Sequence, residues 1–284
     1  MTGLMFRKVI VSLLALTLIG FPSFSQRRLT VLHVNDTHSR LEPERSGEYA
    51  GKGGVIERAA YRDSVVKADG RRNVLFMEAG DFNVGTEYYP AFGGDLEIDI
   101  INSLKYDCVT LGNHEFDNGI DDLARRLRRL KCAVVCCNYD FSSTPLNGIV
   151  KPYAVFRRAG MKIGVIGIGA DLTNLISNEL AASMPGLPVA ETAMEWASFL
   201  KEEKGCDIVI ALSHRGFDRG SCPDTEIAAS TRNIDIIVGG HTHTRIREPL
   251  VCRNLDGRPV AVVQDHYWGL SVGNLKINKP KENQ

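Results

Sequence analysis

The chain has 284 residues, 44% of them hydrophobic and 24% charged, an ordinary composition for a globular protein. Its 34 basic and 34 acidic residues cancel, which gives no support for binding a nucleic-acid polymer through bulk charge. Seven cysteines in no zinc-site spacing argue against a structural zinc module, and the odd count leaves at least one thiol unpaired within the chain.

Arg7 and Lys8 precede a 13-residue apolar run, Val9 to Phe21, which is too short to span a bilayer and suits a signal-peptide core. Ser23 and Ser25 flank a cut before Gln26. Residues 1–25 therefore read as a signal peptide and 26–284 as one exported domain, periplasmic or extracellular, without a stable membrane anchor. No cysteine stands near the cut, which argues against a lipid anchor. Without Arg7 and Lys8, 32 basic residues face 34 acidic ones. Export permits disulfides, but Cys108, Cys136, Cys137 and Cys252 fall in or beside apolar runs and read as buried small hydrophobes.

Leu29 to Val34 is a β-rich run that breaks at Asn35-Asp36-Thr37-His38. Asp36 and His38 are two apart, so on an extended strand end both side chains point the same way and form a pair of metal donors. His33, inside the strand, reads as a packed core histidine. Residues 41–54 are polar and glycine-rich, a loop, and Val55 to Lys67 looks helical. Val74 to Met77 is a buried strand ending at Gly80-Asp81, where the glycine lets the backbone approach closely. Asp95 to Leu104 is the next helix.

Cys108 to Leu111 reads as a strand end, followed by Gly112-Asn113-His114-Glu115-Phe116-Asp117-Asn118-Gly119. Ile120, Leu123, Leu127 and Leu130 then mark one face of a helix. Asn-Gly and Asp-Asn-Gly are also ordinary turn and cap residues. In a strand-to-helix turn, however, Asn113 offers a neutral oxygen donor, His114 a proton near pH 7, and Asp117 a group to fix its tautomer. Arg125, Arg126, Arg128, Arg129 and Lys131 close that helix as a solvated face complementing its dipole.

Ala133 to Cys136 is a strand and 141–150 a loop; Tyr153–Phe156 and Ile163–Ile168 form a hairpin turning at Ala159-Gly160. A helix covers Thr192 to Lys204. Ile208 to Leu212 is a strand that stops at Ser213-His214, and Ile234 to Val238 is another that stops at Gly239-Gly240-His241-Thr242-His243. His241 and His243 repeat the two-apart spacing of Asp36 and His38. Pro259–Val263 and Leu270–Lys276 read as closing strands around Tyr267-Trp268-Gly269, and His266 has no evident partner.

Five loops after predicted strands thus carry metal-competent residues, and five of the seven histidines fall in them. Strands alternating with helices imply a largely parallel sheet, whose carboxyl ends gather on one edge. Imidazole, carboxylate and amide oxygen without thiolate suit Zn, Mn or Fe in a catalytic site. Seven donors are about right for two ions if a carboxylate bridges them.

The ordered set Asp36-x-His38, Gly80-Asp81, Gly112-Asn113-His114-Glu115, His214 and Gly240-His241-x-His243 resembles the calcineurin-like metallophosphoesterase signature. Asn35-Asp36, Gly53-Gly54, Gly112 to Asp117 and the Gly-Gly-His-x-His form resemble its 5′-nucleotidase branch, over about Leu29 to Lys276. The resemblance implies an α/β fold, a four-layer αββα sandwich with a dinuclear site. By motif, Asp36, His38 and His243 would hold one divalent ion and Asn113, His214 and His241 the other, with Asp81 bridging. His114 and Asp117 would form the catalytic dyad. Two cations about 3.5–4 Å apart can clamp a phosphate and activate a water. The expected substrate is a small phosphorylated compound, a nucleotide, in the cell envelope. Relatives of this kind continue into a second, base-binding domain. The chain stops at Gln284, so the expectation is that a separately encoded nucleotide-binding partner supplies it. Competing activities on the same scaffold are cyclic-nucleotide phosphodiesterase, UDP-sugar hydrolase and sulfur-ester hydrolase; a non-catalytic binding module is a different class.

Overall fold

Residue alternation along the strands decides the layering. In the computed structural model, which describes residues 28–173 and 175–278, β1 spans Arg28–Val34. Its odd members Leu29 and Val31 enter one core, and its even members Leu32 and Val34 another. This period of two sends successive side chains to opposite faces. After α1 (Val55–Asp69), β2 (Val74–Glu78) repeats the split, with Val74 and Phe76 on one face and Leu75 and Met77 on the other. The chain continues through α2 (Tyr88–Phe92), α3 (Asp95–Ser103), β3 (Cys108–Val109), α4 (Ile120–Leu127) and β4 (Ala133–Val134). The hairpin β5 (Tyr153–Arg158) and β6 (Met161–Ile168) follows, then α5 (Asn178–Ser183) and α6 (Val189–Glu202). Last come β7 (Ile208–Ser213), α7 (Asp224–Ser230), β8 (Ile236–Val238), β9 (Leu250–Arg253), β10 (Pro259–Val263) and β11 (Gly273–Asn278).

These strands form a five-stranded sheet in the order β11-β1-β2-β3-β4 and a six-stranded sheet in the order β5-β6-β7-β8-β10-β9. Strands β1 to β4 run parallel, as do β6, β7, β8 and β10, while β11, β5 and β9 are antiparallel additions. Three cores separate four layers. Leu29, Val31, Leu75 and Met77 meet Met161, Ile163, Val165, Ile208 and Ile210 between the sheets. Val65, Ile98, Leu123 and Leu127 cover the outer face of the first sheet. Ala193, Ala197, Leu200 and Ile227 cover that of the second, against Val209, Ala211 and Ile237. The architecture is the αββα sandwich. β10 and β11 lie in different sheets, so residues 264–272 cross from one sheet to the other.

The loops at 41–54 and 141–150 carry no helix or strand. Four elements lay outside the sequence expectation: α2, α5, α7 and β9. The basic cluster is a correction in part. Arg125 and Arg129 are exposed and pair with Asp95, Asp99 and Asp122, but Arg126 is fully buried, reaching the Glu115 carbonyl and Asp122. All seven cysteines are free; Cys108, Cys136, Cys137 and Cys206 are buried. The signal segment expected at residues 1–25 lies outside the described residues. No helix among the described residues is long and apolar enough to cross a membrane.

Candidate metal centre

Every sequence-predicted donor stands just past the carboxyl end of a strand. Asp36 and His38 follow β1, Asp81 follows β2, and Asn113 and His114 follow β3, all from the five-stranded sheet. His214 follows β7, and His241 and His243 follow β8, from the six-stranded sheet. Parallel pairing brings these ends to a common edge.

The two-apart pairs converge by a different route from the one an extended strand offers. Asp36 and His38 take left-handed backbone at φ 51° and 48°, His241 and His243 at 72° and 56°, and Asp81 at 54°. Such conformations cost about 1 kcal/mol or more each for non-glycine residues and cluster at functional sites. Gly80, at φ 87°, makes the close approach possible. A Cβ there would lie 2.6 Å from the Gly112 nitrogen and 2.7 Å from His214 Nδ1.

The donor atoms form one contiguous set. His243 Nε2 lies 3.2 Å and His38 Nε2 3.8 Å from Asp36 Oδ1, and the two nitrogens are 3.1 Å apart. His214 Nε2 is 3.0 Å from Asp81 Oδ2 and 3.7 Å from Asp36 Oδ1. Ligand atoms lie within 4.8 Å of one another in each of three groups: Asp36, His38 and His243; His38, Asp81 and His114; and Asp81, His214 and His241. His38 and Asp81 each belong to two of them.

Surrounding groups fix which atom of three donors is free. His38 Nδ1 faces the carbonyl oxygens of Asn83 and Val84 at 3.3 and 3.2 Å, and His214 Nδ1 donates to the Ala79 carbonyl at 2.5 Å. Both rings therefore offer Nε2. Asp36 Oδ2 accepts from Asn35 Nδ2 at 2.7 Å and from the His241 N–H at 2.9 Å, leaving Oδ1. Asp36 Oδ1 and Asn113 Oδ1 are buried without a hydrogen-bond partner among the described residues, and His214 Nε2 faces only the Asp81 and Asp36 carboxylates. Buried polar atoms left this way are costly unless something pairs with them. An oxygen and imidazole donor set with two such oxygens fits a divalent cation.

Burial lowers the His38 and His241 imidazoles below their ordinary value, toward the neutral form a metal requires. For His214 burial pulls down, but the Asp81 and Asp36 carboxylates outweigh it and hold the ring at about 10. Burial raises the Asp81 carboxyl, and the His214 charge more than reverses this, holding it well below the usual carboxylate range.

His114 and Asp117 lie at the open rim. His114 Nδ1 is 2.9 Å from Asp117 Oδ2, with side-chain exposures of 35% and 39% that leave both within reach of a ligand. Burial depresses His114, but Asp81 and the hydrogen bond and charge of Asp117 reverse this and raise it. The His114 N–H also donates to Asp81 Oδ1 at 2.9 Å, which joins the dyad to the donor set.

One residue quoted in the motif but given no role is Glu115. Its carboxylate, fully buried, accepts the N–H groups of Gly112 at 2.6 Å, Asp81 at 2.9 Å, Phe82 at 3.0 Å and Asn83 at 3.4 Å. It thereby ties two donor loops together. Its adjacency to His114 is the signal that points to it. His266 also gains partners, Tyr49 Oη at 3.1 Å and the His243 carbonyl at 3.2 Å. Tyr267 stacks on the His243 ring with centroids 4.8 Å apart. His33 is buried in β1, 3% exposed, apart from the donor set.

Comparison with known proteins places this geometry. Over 276 residues the chain is 33% identical to the snake venom 5′-nucleotidase of Naja atra, covering 88% of this chain and 50% of that protein. The crystal structure of a 5′-nucleotidase precursor from Thermus thermophilus matches with a TM-score of 0.79 at 35% identity, over 88% of this chain and 51% of that one. The structure of the Haemophilus influenzae NAD nucleotidase matches with a TM-score of 0.77 at 31% identity, over 88% and 47%. The chain spans about half the length of the curated relatives it matches. The calcineurin-like phosphoesterase profile matches residues 29–245, the span that holds every donor loop described above, and the chain belongs to that family.

Proposed function

We propose that this chain is the catalytic part of a dinuclear-metal-dependent phosphoester hydrolase of the 5′-nucleotidase type, acting on nucleotides outside the cytoplasm. The observation that carries the reading is the convergence of Asp36, His38 and His243 with Asp81, His214 and His241 around shared members, beside the His114–Asp117 pair. Asp36, His38 and His243 would hold one ion, Asn113, His214 and His241 the other, and Asp81 both. Two bound divalent cations would neutralise phosphoryl oxygens and lower the pKa of an attacking water.

The chain's own residues supply the rest. His114, raised above its ordinary value, is suited to donate a hydrogen bond to a phosphoryl oxygen and a proton to the leaving oxygen. Asp117 holds the ring through Nδ1 and stabilises its charge. Glu115 ties the Asp81 and Gly112 loops together through their N–H groups.

The names of the relatives support nucleotides as the substrate class over the competing hydrolase activities. Because the chain spans about half the length of its relatives, nucleoside recognition is assigned to a nucleotide-binding domain acting with residues 26–284, and export to the segment 1–25. The test is a panel of AMP, cyclic 2′,3′-AMP, UDP-glucose and a chromogenic phosphate ester with Mn or Zn, alone and with proteins that co-purify. Hydrolysis of the chromogenic ester and AMP is expected. No hydrolysis of any ester with either metal would sink the reading. Full nucleotide selectivity by the purified chain with no partner bound would remove the partner.

A further inference from the structure

We propose that Asn35 is a positioning residue for the metal centre, holding Asp36 so that a single carboxylate oxygen faces the cations and anchoring it to the crossover between the two sheets. The inference rests on the metal-centre reading given above.

Asn35 is 1% exposed, and its amide makes three hydrogen bonds. Nδ2 donates to Asp36 Oδ2 at 2.7 Å and to the His266 carbonyl at 2.6 Å, while Oδ1 accepts the Asp265 N–H at 2.9 Å. The partners on the crossover lie 231 and 230 residues away in sequence, so these bonds do more than close a turn at the end of β1. The arrangement needs two donors and one acceptor in one plane. An amide offers that set; a carboxylate or a hydroxyl of similar size does not. With Oδ2 of Asp36 taken by Asn35 and by the His241 N–H, Oδ1 is the oxygen left toward His243, His214 and His38.

The crossover answers in kind. The Trp268 N–H donates to the Asp36 carbonyl at 2.7 Å. His266 Nδ1 meets the His243 carbonyl, and Tyr267 stacks on the His243 ring. One segment thus touches two donors that belong to opposite sheets. His266 and Trp268 hold left-handed backbone at φ 63° and 59°, a shape that persists only when surrounding contacts enforce it. Asn35 supplies two of those contacts.

The experiment titrates metal-free protein with Co(II) chloride and follows the visible absorption bands, for the parent, Asn35→Ala and Asn35→Asp. His243→Ala identifies which class of site belongs to the Asp36 cluster. Two classes are expected in the parent. Asn35→Ala should weaken the Asp36 class by about 10- to 100-fold, the usual scale for groups that orient ligands. The other class should stay near the parental value, while the loss of three hydrogen bonds at a buried side chain should lower the melting temperature of the metal-free variant. Asn35→Asp keeps the acceptor for Asp265 but loses both donated bonds, so it should weaken that class at least as much. Parental affinity in both variants would overturn the proposal, as would equal weakening of both classes. Parental behaviour of Asn35→Asp beside a weakened Asn35→Ala would also overturn it, by leaving only the Asp265 bond in play. A parent that binds no Co(II) would remove the metal-centre reading itself.

Discussion

His114 Nδ1 and Asp117 Oδ2 stand 2.9 Å apart, with the imidazole raised above its ordinary value in part by that contact. A group that donates protons to a leaving oxygen should fail when removed. His114→Ala is expected to lower turnover of a chromogenic phosphate ester by about 10²-fold or more. Asp117→Asn should do less harm and move the alkaline limb of the pH–rate profile to lower pH, because the ring would lose its proton sooner. Equal turnover by parent and His114→Ala would contradict the dyad.

Asp81 presents Oδ2 to His214 and belongs to two of the three donor groups. A carboxylate that would serve two ions, as proposed for Asp81, could not be replaced by an amide without loss at both. Asp81→Asn is expected to reduce metal content and activity together. Elemental analysis that found two tightly bound ions in this variant would overturn the shared role.

With no ion bound, the Asp81 and Asp36 carboxylates hold a proton on His214 at neutral pH. A cation taking Nε2 must displace it. Metal loading at neutral pH should therefore release about one proton or more per protein molecule. Calorimetric titrations in buffers of differing ionisation enthalpy would measure the release, and heats independent of buffer would contradict it.

Asp224 is fully buried, accepts the Ser213 hydroxyl at 2.5 Å, and has its other oxygen unpaired among the described residues. Burial pushes its carboxyl up to about 7. An acid raised on folding favours the protonated native state, so its contribution is full at low pH and is lost as pH rises toward 7. The metal-free protein should lose up to about 4 kcal/mol from this group between about pH 4 and 8. Glu78 and Glu115, also pushed to about 7 by burial, act in the same direction. Asp224→Asn should flatten the slope and melt higher than the parent at the alkaline end of that range. An unchanged slope in thermal unfolding across it would refute this.

The core strands were legible because apolar runs such as Val74–Met77 and Ile208–Leu212 are buried on both faces and carry an uninterrupted signal. β9 was not, since three of its four residues are exposed and no apolar alternation marks it. The short helices α5 and α7 span 6 and 7 residues, too few for a period of 3.6 to declare itself. At the centre, donor types and spacing were readable, but the left-handed backbone that aims them was not. Glu115 stood in plain view, yet its meaning depends on Asp81 to Asn83, which lie 32 to 34 residues before it. Arg126 looked like its solvated neighbours until packing enclosed it.

The division of donors between the sheets has a mechanical side. Asp36, Asp81 and Asn113 ride on one slab of the sandwich, and His214, His241 and His243 on the other. Ions gripped across that seam would rivet the slabs against sliding. Stripping them with a chelator should accordingly open the molecule to a protease at sites far from the catalytic mouth. Digestion resistance would then report occupancy without any substrate being turned over.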